Sequence, residues 1–244
     1  MQFTISARAK PAAQPIQQLI KQHFSDIPVA QIESFFGFTE ACTLYGGRVF
    51  RNTELRRYDL RSMYKLGINL RLPLSNHFAT AEEYEECLPF LEKHHRPGNS
   101  VIITNDHLAA WIRTDFPDYR VEASVIKNIK NLRKVEQAFK LYDTVILPME
   151  CNEDEQLLLS MPEKERITLF ANAGCAMTCP SKICYMGLSK INKGGDRSQA
   201  QCSQGLKERD TRHDRFRSRL PGKPGFSSLQ AAAFTTGKND RLLS

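Results

Sequence analysis

Cys175, Cys179 and Cys184 fall within ten residues, and Cys202 follows in the same polar stretch. Thiolates this close together can wrap one soft metal centre. A structural zinc site favours the tighter C-x2-C knuckle. Here the intervals are three and four residues, then a long gap, which suits an iron–sulfur cluster at least as well. The spacing does not match the C-x3-C-x2-C arrangement of radical S-adenosylmethionine enzymes. Two plainer readings stay open. Free cysteine packs as a small hydrophobe, so these residues can fill a helix–sheet junction. Cys175 can also be a reactive thiol, made more acidic by a nearby helix N-terminus.

Other candidates stand where β-rich runs end. Asn76 and His77 follow one such run, and Asn172 follows another just ahead of Cys175. A polar group at that position either caps the next helix or faces a site. For Asn105, Asp106 and Asn152 capping is the plainer role, whereas Asn76, His77 and Asn172 are the catalytic candidates. His107 reads as the surface of a first helical turn. His94 and His95 precede Arg96-Pro97-Gly98 and read as solvated. Among the remaining cysteines, Cys42 lies near the first strand end, Cys87 falls on an apolar helix face, and Cys151 is ambiguous. Gly46-Gly47-Arg48 joins glycines that permit close backbone approach to a guanidinium that can grip a carboxylate or phosphate. Arg71 lies inside a β-rich run, and if it points into a core it needs an anionic partner.

These residues must be positioned by alternating elements. Strand candidates cover 29–33, 68–74, 100–104, 120–125, 144–147 and 166–170. Helical patterns over 81–93, 107–113, 132–140 and 154–161 lie between them. This β-then-helix rhythm predicts parallel strands with crossover helices. The Gly-rich phosphate turn of an open dinucleotide-binding sheet is absent, which favours a (β/α) TIM-type barrel. In a barrel the strand ends share one rim, where active sites are built. Only six strands are readable before residue 190, so the barrel is expected to be incomplete, closed irregularly by the tail, or completed by a partner chain. A further strand at 226–229 is one candidate. The expected organisation is an N-terminal extension over 1–25, a barrel core over 26–190 and a basic, poorly structured tail over 191–244.

Composition bounds the classes. The chain has 244 residues, 41% hydrophobic and 25% charged, as in ordinary globular proteins. Residues 1–189 carry 22 Lys and Arg against 22 Asp and Glu, and residues 190–244 carry 12 against 5. The whole net charge of +7 therefore sits in the tail, as a solvated segment or a means of attracting RNA or another anionic partner. No apolar run approaches the ~20 residues of a membrane span. The N-terminus lacks a secretory h-region, so the cytoplasm is the expected compartment, with reduced cysteines. No nucleophile elbow, H-E-x-x-H or triad order supports a protease.

The order of the segments IESFFG, GGR, YDLRSMYKLGINLRLPLSN, VIITND, VEASVI, YDTVILPME and ITLFANAGCAMTCPSKICYMG, then CSQGLKERD, resembles peptidase family U32 over roughly residues 27–210. The N-x-x-C-x3-C-P element is its most specific part. The resemblance implies a (β/α) barrel and a four-iron (4Fe-4S) cluster held by Cys175, Cys179, Cys184 and Cys202. It also implies oxygen-independent hydroxylation of RNA bases or a small aromatic precursor, or else peptidase activity. The alternative is a non-enzymatic barrel with a structural metal, zinc for instance, that binds RNA or a protein partner.

Overall fold

The computed structural model describes residues 1–8, 10–170, 183–199, 201–202, 226 and 228–231. Eight parallel strands form a closed ring in sequence order: β1 Gln2–Ser6, β2 Ile32–Phe36, β3 Asn69–Leu72, β4 Ser100–Ile103, β5 Arg120–Ala123, β6 Thr144–Ile146, β7 Ile167–Phe170 and β8 Ser228–Ala231. The helices are α1 Ile16–His23, α2 Arg57–Lys65, α3 Ala81–Glu86, α4 Leu88–His94, α5 Asp106–Asp115, α6 Leu132–Ala138, α7 Glu155–Ser160 and α8 Cys184–Ile191. The (β/α) barrel expected from the rhythm of the sequence is present, and the tail closes it. β8 pairs with both β7 and β1. Among the described residues no helix follows β8.

Side-chain alternation builds two cores from the same strands. Ile5, Leu70, Val101, Ile103, Val121, Val145, Ile167 and Leu169 belong to the main apolar cluster shared with the helices. The intervening positions form the lumen. Ile102, Ile146 and Phe170 make a separate apolar cluster, joined by Phe36, Val125 and Met149. One step earlier on the same strand faces stand the buried polar side chains Ser34, Ser100 and Thr168. The lumen is thus polar below and apolar towards the strand ends.

The first 25 residues are not an extension. They supply β1 and α1, and β1 pairs with β2 and β8. A buried carboxylate anchors this unit. Asp59 on α2 accepts from the Ile16 backbone N–H at 2.9 Å and lies 3.1 Å from Lys10 Nζ. The helix expected over 81–93 is two helices. Pro89 has no N–H to offer the preceding turn, and the helix is interrupted at Cys87. His94 is buried rather than solvated. Its Nε2 meets Thr39 Oγ1 at 3.2 Å, and Asn99 Nδ2 donates to its carbonyl at 2.8 Å. Burial and the neighbouring Lys93 charge lower its pKa to about 4.

Candidate functional site

The lumen holds a charged pair. Arg71 on β3 donates through Nε to Glu122 Oε1 on β5 at 2.8 Å, and its Nη2 pairs with Oε2. The pair spans the intervening β4, and both side chains are 1% exposed. Thr144 Oγ1 adds a bond to the same carboxylate at 3.0 Å. Burial alone would raise the Glu122 pKa, but the Arg71 and Arg120 charges outweigh it and hold the carboxyl ionised. The anionic partner that an inward Arg71 required is therefore Glu122.

At the strand ends the Gly46 loop locks against the segment after β3. Gly46 N–H donates to Pro73 O at 3.3 Å, and Asn76 N–H donates to Leu44 O at 3.1 Å. A Cβ on Gly46 would lie 2.2 Å from Ser75 O, so only glycine fits. Arg48 grips a carboxylate, as its chemistry allowed, but the carboxylate is the chain's own Glu54.

Asn76 is fully buried, and its amide is spent on the scaffold. Nδ2 faces three carbonyl oxygens, Thr43 at 2.7 Å, Ser189 at 3.0 Å and Tyr45 at 3.2 Å, while Oδ1 accepts from Phe78 N–H at 2.9 Å. This corrects the expectation that it acts on substrate: no N–H remains to offer one, and it positions α8. Asn105 caps α5, accepting from the His107 and Leu108 N–H groups. Asn152 instead donates to Phe170 O at 2.7 Å, at the end of β7.

His77 is differently placed. Ser189 Oγ on α8 donates to Tyr185 O at 2.9 Å, which uses its one proton. Its oxygen accepts from the His77 backbone N–H at 3.2 Å and meets Nδ1 at 3.2 Å. With the Ser189 proton on Tyr185 O, Nδ1 is the donor of that contact and the lone pair lies on Nε2. Burial, then the Lys127 charge, lowers the His77 pKa, so the ring is neutral near pH 7. Lys127 is held on the neighbouring rim by Thr104 O at 3.0 Å and Asp106 Oδ1 at 2.7 Å. Asp106 also accepts from the Tyr142 hydroxyl at 2.5 Å. Burial opposes the ionisation of Asp106, but these donors keep it charged.

Helix α8 ties these parts to the cysteines. It follows β7 in sequence, yet it bonds to loops after β2 and β3, on the far side of the ring. Besides Ser189, Asn192 accepts from Phe50 N–H at 2.8 Å and donates to Arg48 O at 2.8 Å. Lys193 Nζ reaches Phe78 O at 2.6 Å. Cys184 opens this helix, about 7.5 Å along the axis from Ser189. The chain then turns through Gly194, at φ 85°, and the short helix Arg197–Gln199 packs back on α8 just before Cys202. Cys184 and Cys202 are both partly exposed. Asn172, Cys175 and Cys179 lie outside the described residues, and among the described residues no three metal-ligating side chains cluster.

Sequence reasoning missed Ser189, Lys127 and Tyr142. A serine inside an ordinary helical pattern carries no local sign of a distant histidine. The Ser189–His77 contact is also no protease pair, because that hydroxyl is fully buried and its proton is engaged.

An eight-stranded parallel β/α barrel with a helix docked on its C-terminal rim defines the class. The fold is that of the U32 peptidase Mk0906, whose solved structure aligns with a TM-score of 0.64 over 98% of this chain and 94% of that one, at 12% sequence identity. No protein-family model matches the sequence, and no curated protein matches it. Among the described residues no helix is long and apolar enough to cross a membrane.

Proposed function

We propose that this chain is a U32-like barrel enzyme that holds an iron–sulfur cluster at the barrel mouth and modifies an RNA base or a small aromatic precursor. The observation that carries this reading is the docking of α8. It ties the helix that Cys184 opens, and that the turn to Cys202 follows, to the loops after β2 and β3, with Ser189 of that helix bonded to a neutral histidine. Cys175, Cys179, Cys184 and Cys202 are the proposed ligands. The donor set fits: two of the four are partly exposed thiols on one helix–turn unit, and sulfur donors suit iron. When bound, such a cluster would supply one-electron chemistry.

The remaining roles fall to the chain's own residues. His77 Nε2 accepts a proton from substrate, with Nδ1–H held on Ser189. Lys127 offers positive charge to an anion developing near it. The apolar lumen of Phe36, Ile102, Ile146 and Phe170 favours a flat, weakly polar reacting group and keeps water away. The excess of cations in residues 190–244 supports an RNA substrate over a neutral one. Asn172 stays with His77 as a catalytic candidate.

The test is metal content after anaerobic reconstitution. Cys184→Ala and Cys202→Ala should each lose most bound iron while the far-UV spectrum stays unchanged. Full iron in both variants would overturn the ligand set. One zinc per chain without colour would favour a structural metal in a non-enzymatic barrel.

A further inference from the structure

Cys42 and Cys87 have no part in the ligand set, yet they meet. Cys42 lies in the loop after β2, and Cys87 joins α3 to α4. Their Sγ atoms are 3.5 Å apart, and both residues are buried. Each is held by its backbone: Tyr45 N–H donates to Cys42 O at 3.3 Å, and Cys87 N–H donates to Glu83 O at 3.1 Å. A disulfide needs about 2.05 Å between sulfurs, so closure asks for roughly 1.5 Å of movement between two side chains. Rotation about the Cα–Cβ bonds supplies motion of that size.

The pair is also chemically unequal. A hydrogen bond from Cys42 favours the Cys87 thiolate; burial opposes it, and Thr43 Oγ1 at 3.8 Å assists. Cys87 is therefore more acidic than an ordinary thiol, and Cys42 less so, because its proton is held against the neighbouring sulfur. A thiolate beside a thiol is the arrangement that thiol oxidation uses.

We propose that Cys42 and Cys87 form a redox-active dithiol site whose oxidant is a hydroperoxide. The Cys87 thiolate attacks the distal peroxide oxygen, the O–O bond breaks, and the alcohol or water leaves with a proton. The resulting sulfenic acid is attacked by the Cys42 sulfur, which gives up its proton, and water departs. In sum, two thiols lose two electrons to one hydroperoxide, giving one disulfide, one alcohol (or water) and one water. The bond would close a loop of 45 residues. It would also stiffen the segment whose Thr43 carbonyl accepts from Asn76, and so steady the docking of α8.

Peptide mapping of the full chain tests this directly. Tryptic peptides 22–48 and 72–93 each contain one cysteine. After treatment with a few equivalents of hydrogen peroxide and blocking with iodoacetamide, the two should be recovered joined, 2 Da lighter than their sum, and released by reduction. The oxidised chain should melt several degrees higher than the reduced one. In Cys42→Ser the linked species should vanish, and alkylation of Cys87 at neutral pH should slow several-fold. Recovery of the two wild-type peptides separately, or of Cys87 joined to another cysteine, would overturn the proposal. That outcome is independent of iron content.

Discussion

The lumen and the rim are both polar, and they differ in how their ionisable groups are matched. In the lumen, Arg71 and Glu122 neutralise each other across β4, and Thr144 takes a further lone pair of the carboxylate, with only Nη1 of that guanidinium left without a hydrogen-bond partner among the described residues. At the rim, His77 is tethered through one nitrogen, and its other nitrogen has no partner among the described residues. A charge buried among strands is stable only when matched, so the lumen pair supports the architecture. A group that retains bonding capacity beside a docked helix is equipped for chemistry. Polarity in a barrel is therefore no guide to function until the hydrogen bonds are accounted for.

The largest effect expected from breaking this contrast lies in the lumen. Arg71→Met removes the main counter-charge of the buried Glu122 carboxylate, leaving it Thr144 and the more distant Arg120, and should cost about 3–5 kcal/mol, read by denaturant unfolding. Iron bound per folded chain should change little. The helix dock gives the opposite pattern. Asn76→Ala leaves buried carbonyls without a donor and should cost about 2 kcal/mol. It should also reduce iron retention, because α8 loses its grip on the loops after β2 and β3. If Asn76→Ala bound iron normally while Arg71→Met did not, the division between lumen and rim would be reversed.

Protonation sharpens the contrast further. His94 has a folded-state pKa of about 4, below the ordinary histidine value of 6.5. The unfolded chain therefore takes up a proton first as pH falls. The stabilisation tied to neutral His94 is complete above about pH 6.5 and is lost as pH drops towards 4, on the order of 3 kcal/mol at most. Proton NMR should show the His94 ring titrating near pH 4, while an unfolded control titrates near 6.5. The smallest stability change belongs to His77→Gln, within about 1 kcal/mol, since the glutamine amide can still reach Ser189. That variant should retain its iron and lose turnover. Unchanged turnover would remove His77 from the chemistry.

Much of the architecture was legible because the outward strand positions are so apolar. Leu70, Leu72, Val101, Ile103, Val145 and Ile167 mark strands by themselves. β1 escaped notice because QFTIS is one short run ahead of a polar, proline-containing segment, and its pairing with β8 depends on the opposite end of the chain. α2 escaped because RYDLRSMYK buries only Asp59 and Met63, and a buried aspartate looks like a surface one in sequence. Cys87 and Pro89 hid a helix break within a continuous amphipathic pattern. At the site, spacing pointed to the cysteines and strand ends pointed to His77. Neither could reveal Ser189, because the link spans 112 residues and is made by tertiary docking alone. The same reason kept Cys42 and Cys87 apart in sequence, 45 positions from one another.

The central claim is that a helix docked by Asn76 and His77 holds a thiolate-ligated cluster at the barrel mouth. Its most direct test is iron and sulfide analysis with a visible spectrum, on full-length chain purified without oxygen. The account predicts brown protein, absorption near 400 nm and about four irons per chain. Colourless protein, still without iron after reconstitution, would contradict it.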